Sequence, residues 1–325
     1  MSNPSQTWSH LFLIVVSFVA LGANATPRPA TPTRIVLDPT TFPKISRPLL
    51  QETADQVAKT VDELIPGGYP NSSSSTILCF VTHGDWADKP RAIVGRPWKI
   101  EPPTASKYVM RVAFTPQVLP GAWQRLAFQL AHELAHLKMN ARVDNNALEA
   151  FAVAVSLEVL HRLDFDPYRE SNQRYYTQSI PPEVLEALNR SDWAKVGLYL
   201  RYEWRHEYRE DWDQSTHFVA AIALRKIAGI PWEQLLNIGA SAECGSNRSN
   251  GRARYCPLSP ASLEAFPEAM KAILSPDQVN VVLVHNGARQ HDGNALIFQE
   301  KGKSVSLRWS RKTDPLVPDG FVPIN

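Results

Sequence analysis

The chain has 325 residues, 44 % of them apolar and 20 % charged, with a formal net charge of +2 at pH 7. That length holds one large domain or two modest ones, and the apolar fraction supports a sizeable core without a lattice of disulfides. A charge so close to balance argues against nucleic acid, or an anionic membrane surface, as an electrostatic partner.

The N-terminus opens on an apolar run, Leu11 to Leu21 (LFLIVVSFVAL), too short to span a bilayer as an ordinary helix. Ala23-Asn24-Ala25 follows as a small-x-small signature. Residues 1–25 therefore read as an export signal cleaved after Ala25, with an uncleaved anchor as the alternative. Residues 2–10 carry no Lys or Arg, which leaves the amino terminus and His10 as the positive region. No later segment is long and apolar enough to span, so the mature chain is expected to be soluble, secreted or periplasmic.

Residues 26–45 read as a Pro-rich linker, with TPRPATPT at 26–33. Residues 46–275 form the expected main domain, and 276–325 a small β appendage or an edge of the first sheet. Within the domain, residues 46–64 predict an amphipathic helix, with Leu50, Ala54, Val57, Val61 and Leu64 at helical spacing. Pro66-Gly67-Gly68 stops it. Thr76–Thr82, Ala92–Ile100 and Lys107–Phe114 read as strands of a small sheet, provisionally antiparallel. From Pro120 the pattern turns helical: Gly121–Met139, Asn145–Leu163, Pro182–Asn189, Trp193–Arg209, Thr216–Ala228 and Pro231–Asn237. Val279–Val284, Ala295–Gln299 and Ser304–Trp309 read as closing strands, with turns at Asn286-Gly287 and Lys301-Gly302.

Of the three cysteines, Cys244 and Cys256 flank a polar loop and can pair in an oxidising compartment, worth roughly 2–3 kcal/mol for so short a loop. The alternative is that none pairs. Cys79 lies in the apolar run TILCFV and reads as a buried thiol. The absence of Cys-x-x-Cys argues against a thiolate metal site.

The chemistry concentrates at His132-Glu133-Leu134-Ala135-His136, an H-E-x-x-H match. Residues four apart on a helix lie one above the other, about 6 Å along the axis, so both imidazoles can reach one zinc ion. Glu133 is offset by about 100° around the helix, beside the metal, where it can hold and deprotonate a water that the ion acidifies. Leu130-Ala131, Leu134-Ala135 and Leu137 make the helix largely apolar, and a metal supplies the polar partners that two histidines and a glutamate need there. Lys138 departs from this apolar setting.

Geometry selects Glu149 as the third ligand. A short link after Met139 or Asn140, with Asp144 or Asn145 as the next N-cap, makes the two helices antiparallel neighbours. His136, one turn before the end of the first, and Glu149, one turn into the second, then stand at the same height. Glu158 lies about 13 Å further along the axis, on the opposite face, and reads as a surface or structural carboxylate. Met139 and Arg142 occupy the places where a His-x-x-Gly-x-x-His extension would put Gly and His, so no third histidine comes from there.

The motif His132–His136 followed by Glu149-Ala150-Phe151-Ala152 resembles the gluzincin metallopeptidases, in which the third zinc ligand is a Glu on the next helix. Leu148 and Ala150 replace the Asn and Gly usual there. Thr216–Val219 through Leu235-Leu236 is similar, less specifically, to the helix that follows the metal helices in that clan. The resemblance implies an α+β fold: a small N-terminal β-sheet, then a mainly helical zincin-like core, with a short C-terminal β segment. It implies a zinc-dependent hydrolase acting on a peptide or protein substrate, with Glu133 as general base and a Tyr or His as oxyanion donor. His217, which would begin a helix and could be oriented by Asp213, is the first candidate donor; Tyr208 is the second. The rival expectations are an inactive zincin-like binding or structural module, a cell-wall amidase using the same metal chemistry, and a chance motif in a helical exported protein.

Overall fold

The computed structural model describes residues 32–39, 42, 47–69, 76–82, 91–94, 108–113, 122–141, 145–205, 210–227, 230–241, 258, 260–264, 266–274, 280–284, 294–300 and 303–309. Residues 1–25, expected to be an export signal, and the Cys244–Cys256 loop lie outside these residues. Among the described residues, no helix is long and apolar enough to cross a membrane.

The first sheet contains four strands: β1 (Arg34–Leu37), β2 (Thr76–Thr82), β3 (Arg91–Val94) and β4 (Tyr108–Ala113), in the order β1-β2-β4-β3. β1 lies inside the segment read as a linker, so the ordered domain begins earlier than residue 46. The antiparallel expectation is also corrected. β1, β2 and β4 run parallel, with Ile35 opposite Ile77 and Leu78 opposite Val109, and only β3 runs antiparallel to β4. For β1 and β2 the cause is α1 (Arg47–Leu64), which fills the connection between them and packs against β1. A helix in that place is the crossover that parallel strands require.

The remainder is mostly helical: α2 (Ala122–Met139), α3 (Asn146–Arg162), α4 (Asp166–Thr177), α5 (Pro182–Asn189), α6 (Trp193–Arg205), α7 (Glu210–Lys226), α8 (Pro260–Glu264) and α9 (Glu268–Leu274). Short 3₁₀ turns at Trp232–Leu235 and Ile238–Ser241 replace the helix expected over Pro231–Asn237. Asn237, in the left-handed region at φ 64°, separates them. α7 begins six residues before the predicted Thr216, which places His217 inside a helix instead of at its start. Residues 206–209, predicted to extend α6, lie outside the described set.

α3 is the central element. Thirteen of its side chains, from Asn146 to Leu160, are buried, because the sequence NALEAFAVAVSLEVLHR is apolar nearly all round and other helices cover it. It packs on α2, α7, α1 and α4. α4 has only Tyr168 and Asn172 buried, one turn apart, and its sequence is polar throughout. A separate three-stranded antiparallel sheet follows, built of β5 (Asn280–Val284), β6 (Asn294–Glu300) and β7 (Lys303–Trp309). The C-terminal strands thus form their own sheet, not an edge of the first.

Candidate metal centre

The α2–α3 pair builds the site. At the end of α2, Asn140 takes a left-handed conformation at φ 56°, and Ala141 N donates to His136 O at 3.0 Å. The chain re-enters helix at Asn145, whose side-chain Oδ1 accepts from Ala147 N at 2.8 Å and Leu148 N at 3.2 Å. This is an N-cap, and it satisfies two of the amides that a helix start leaves without intrahelical partners. Asn145 O accepts from Glu149 N at 2.9 Å. The turn that carries Glu149 is thereby closed.

His132, His136 and Glu149 meet. His132 Nε2 lies 3.2 Å from Glu149 Oε2, His136 Nε2 lies 3.2 Å from Glu149 Oε1, and the two Nε2 atoms are 3.1 Å apart. The carboxylate straddles the two imidazoles, and all three side chains are partly exposed. One ligand atom from each residue lies within 4.8 Å of the others, so the group can hold a metal ion.

Two observations bear on the fit. A tetrahedral ion bound at 2.0–2.1 Å separates its ligands by about 3.3 Å, close to the 3.1 Å between the two Nε2 atoms, and each Nε2 has a different Glu149 oxygen at 3.2 Å. Two imidazoles and one carboxylate are also a donor set that leaves a fourth position open. Against these, His132 Nδ1 is buried with no hydrogen-bond partner, whereas a ligating imidazole usually donates its second N–H to an acceptor. Its ring lies instead alongside Phe128, with centroids 6.3 Å apart and planes 26° from parallel.

The electrostatics favour an anionic Glu149. Burial alone would raise its pKa, but the charge of His136 and hydrogen bonds from both imidazoles outweigh it and hold the carboxyl well below the usual range.

Glu133 is only 3 % exposed. Burial chiefly, and then the charges of Glu133 and Asp38, push the Cys79 thiol up, so Glu133 stands near β2. Cys79 itself is buried and unpaired, as its apolar run implies. Glu158 takes the structural role expected of it: Arg162 and Arg225 pair with it at 3.1 and 3.0 Å, tying α3 to α7.

His217 is buried in α7, and its Nε2 lies 2.9 Å from Asn146 Oδ1. Burial pushes the imidazole down to about 4, Glu149 opposes that shift, and His132 and His136 add to it. Those three charges act on His217, so it neighbours the cluster without joining it. The Asp213 side chain and Tyr208 lie outside the described residues. Asn146 is the residue that sequence reasoning missed. Asp144 or Asn145 signalled a helix start, but a partner for Asn146 71 positions away has no local signature. Comparison with protein-family models, curated proteins and solved structures returns no match.

Proposed function

We propose that the chain is an exported, zinc-dependent hydrolase of gluzincin type that cleaves peptide bonds. One observation carries the reading: two imidazoles and a carboxylate from adjacent helices converge to 3.1–3.2 Å, and the residue after the first histidine is a buried glutamate. Zinc suits this nitrogen–oxygen donor set and, when bound, supplies Lewis acidity toward a carbonyl and lowers the pKa of a water.

The chain's own residues supply the rest. A Glu133 carboxylate oxygen takes the proton of the attacking water and returns it to the leaving amine nitrogen. Phe128 lies alongside the His132 ring from one turn earlier on α2. An extended substrate needs a strand edge to pair with. β4, the strand that precedes the motif helix, is flanked on both sides and offers no such edge. Of the two edge strands, β1 and β3, it is β3 that packs against α2, the helix that carries both histidines.

The test combines metal analysis with hydrolysis of a peptide library, of casein and of cell-wall fragments. Glu133→Gln is expected to retain metal and lose at least a hundredfold in rate, the usual contribution of a positioned general base. Full activity in that variant would refute the mechanism. Turnover of cell-wall fragments alone would move the assignment to an amidase.

A second reading, a module that holds a metal without hydrolysing, is favoured by one contact. His217 Nε2 is already engaged by Asn146, so it is not poised to serve an oxyanion. Metal content with no turnover of any substrate would select that reading.

A further inference from the structure

We infer that Asn146 is a positioning residue for Glu149, anchored in that role by His217; the inference rests on the reading of His132, His136 and Glu149 as metal ligands. Asn146 is the first residue of α3, one turn before Glu149. Its neighbour Asn145 caps the same turn through Ala147 N and Leu148 N, and the Glu149 amide donates to Asn145 O. Those bonds are internal to the turn. They fix its shape and say nothing of its place beside α2.

The lateral tie comes from α7. His217 Nε2 and Asn146 Oδ1 are 2.9 Å apart, and both side chains are buried. With Oδ1 as the acceptor, Nε2 carries the proton, and this nitrogen is spent on Asn146. The next link runs outward. Thr216, adjacent to His217, accepts from Trp204 Nε1 of α6 at 2.9 Å, and the Trp204 ring lies 6.5 Å from the His217 ring. A chain of buried contacts thus runs from α6 through α7 to the turn carrying the carboxylate. Ligand geometry tolerates little error, since metal–ligand distances hold to about 0.2 Å. A turn free to shift sideways would carry the Glu149 oxygens off their 3.2 Å partners. This assigns His217 to holding the ligand turn instead of moving a proton.

The experiment measures zinc affinity of the full chain by competition with a chromophoric chelator, together with the unfolding midpoint of the metal-free protein. Wild type and Glu149→Ala test the underlying reading: a wild type that takes up no zinc overturns that reading and this inference together. Given zinc uptake by wild type, Asn146→Ala and His217→Leu are expected to weaken affinity tenfold to a hundredfold, the usual effect of losing a partner that orients a ligand. His217→Gln, whose amide N–H can stand at the place of Nε2, is expected to stay within about threefold of wild type. Asn146→Ala with wild-type affinity overturns the inference alone, whether or not its metal-free midpoint falls. So does His217→Gln losing as much affinity as His217→Leu. Should His217→Leu fail to fold, the contrast between Asn146→Ala and His217→Gln decides.

Discussion

His136 Nε2 and Glu149 Oε1 stand 3.2 Å apart, one in the last turn of α2 and the other in the first turn of α3. The contact makes the short connection between the helices part of the site. Glu149→Ala removes the only carboxylate of the group while leaving both imidazoles. Metal retained after dialysis is expected to fall from about one equivalent to below about a tenth, because a two-ligand site lacks the set a tightly held ion needs. Metal analysis beside far-UV circular dichroism checks this. Full metal retention with an intact helical spectrum would remove Glu149 from the ligand set.

Lys138 tests how α2 is held in place. It is 1 % exposed, and its Nζ lies 2.7 Å from Asp62 Oδ1, donates to Gly67 O and sits 4.8 Å from the Tyr69 ring centroid. Asp62 also accepts from Thr33 N and Thr33 Oγ1, both at 2.7 Å, which brings the start of β1 into the same network. Removing one member of a buried pair costs about 3–5 kcal/mol. The Asp62 side chain is 24 % exposed and keeps Thr33, so the loss for Lys138→Met is expected at or just below the lower end, about 2–3 kcal/mol. Adding Asp62→Leu is expected to recover part of it. Urea unfolding measures both, and a single-variant loss under about 1 kcal/mol would show the pair to be incidental.

The legible parts of this protein were the local ones. The spacing of His132 and His136 is set within one helix, and Glu149 follows from a connection too short to let α3 wander. Lys138 stood out in the sequence as a charge in an apolar helix, and it is buried with partners. What escaped depends on distant parts of the chain. Arg34–Leu37 becomes a strand only because Thr76–Cys79 lies alongside it, and the Pro-rich residues before it masked the signal. The parallel order needs α1 as a crossover, which strand patterns do not encode. α4 is polar in sequence, and the face it buries is built on Tyr168 and Asn172 instead of aliphatic residues. Asn146 and His217 are joined only by the packing of α3 on α7.

Gly239 is expected to be intolerant of even a methyl group. A Cβ there would lie 2.7 Å from Met139 O and 2.9 Å from both Ala141 N and Ala141 Cα, all of them backbone atoms at the end of α2 or just past it. Beside it, Asn237 N donates to Lys138 O at 3.1 Å. Gly239→Ala must therefore push on the end of α2 or on the link to α3, at an expected cost of about 1–3 kcal/mol with weaker metal binding. Gly68→Ala is the control, since a Cβ there meets nothing within 4 Å. Equal stability and metal affinity in the two variants would mean that the link relaxes at no cost.

The imidazole of His217 gives the metal-free protein an acid-sensitive component of stability. Burial pushes this group from 6.5 down to about 4 in the folded chain. The unfolded chain therefore binds the proton at a higher pH than the folded one. Stabilisation from this group is complete above about pH 6.5 and is lost as pH falls toward 4. A depression of roughly 2.5 units corresponds to about 3 kcal/mol at most. His217→Gln has no titrating group there, so the wild-type advantage over it is expected to shrink by about that amount between pH 7 and pH 4. Groups remote from His217 that titrate in the same window act on both proteins and cancel in the difference. Denaturant unfolding of metal-free wild type and variant across this range measures the effect. Parallel stability profiles for the two proteins would mean that His217 is not held neutral by the fold, and that its place beside Asn146 is solvated.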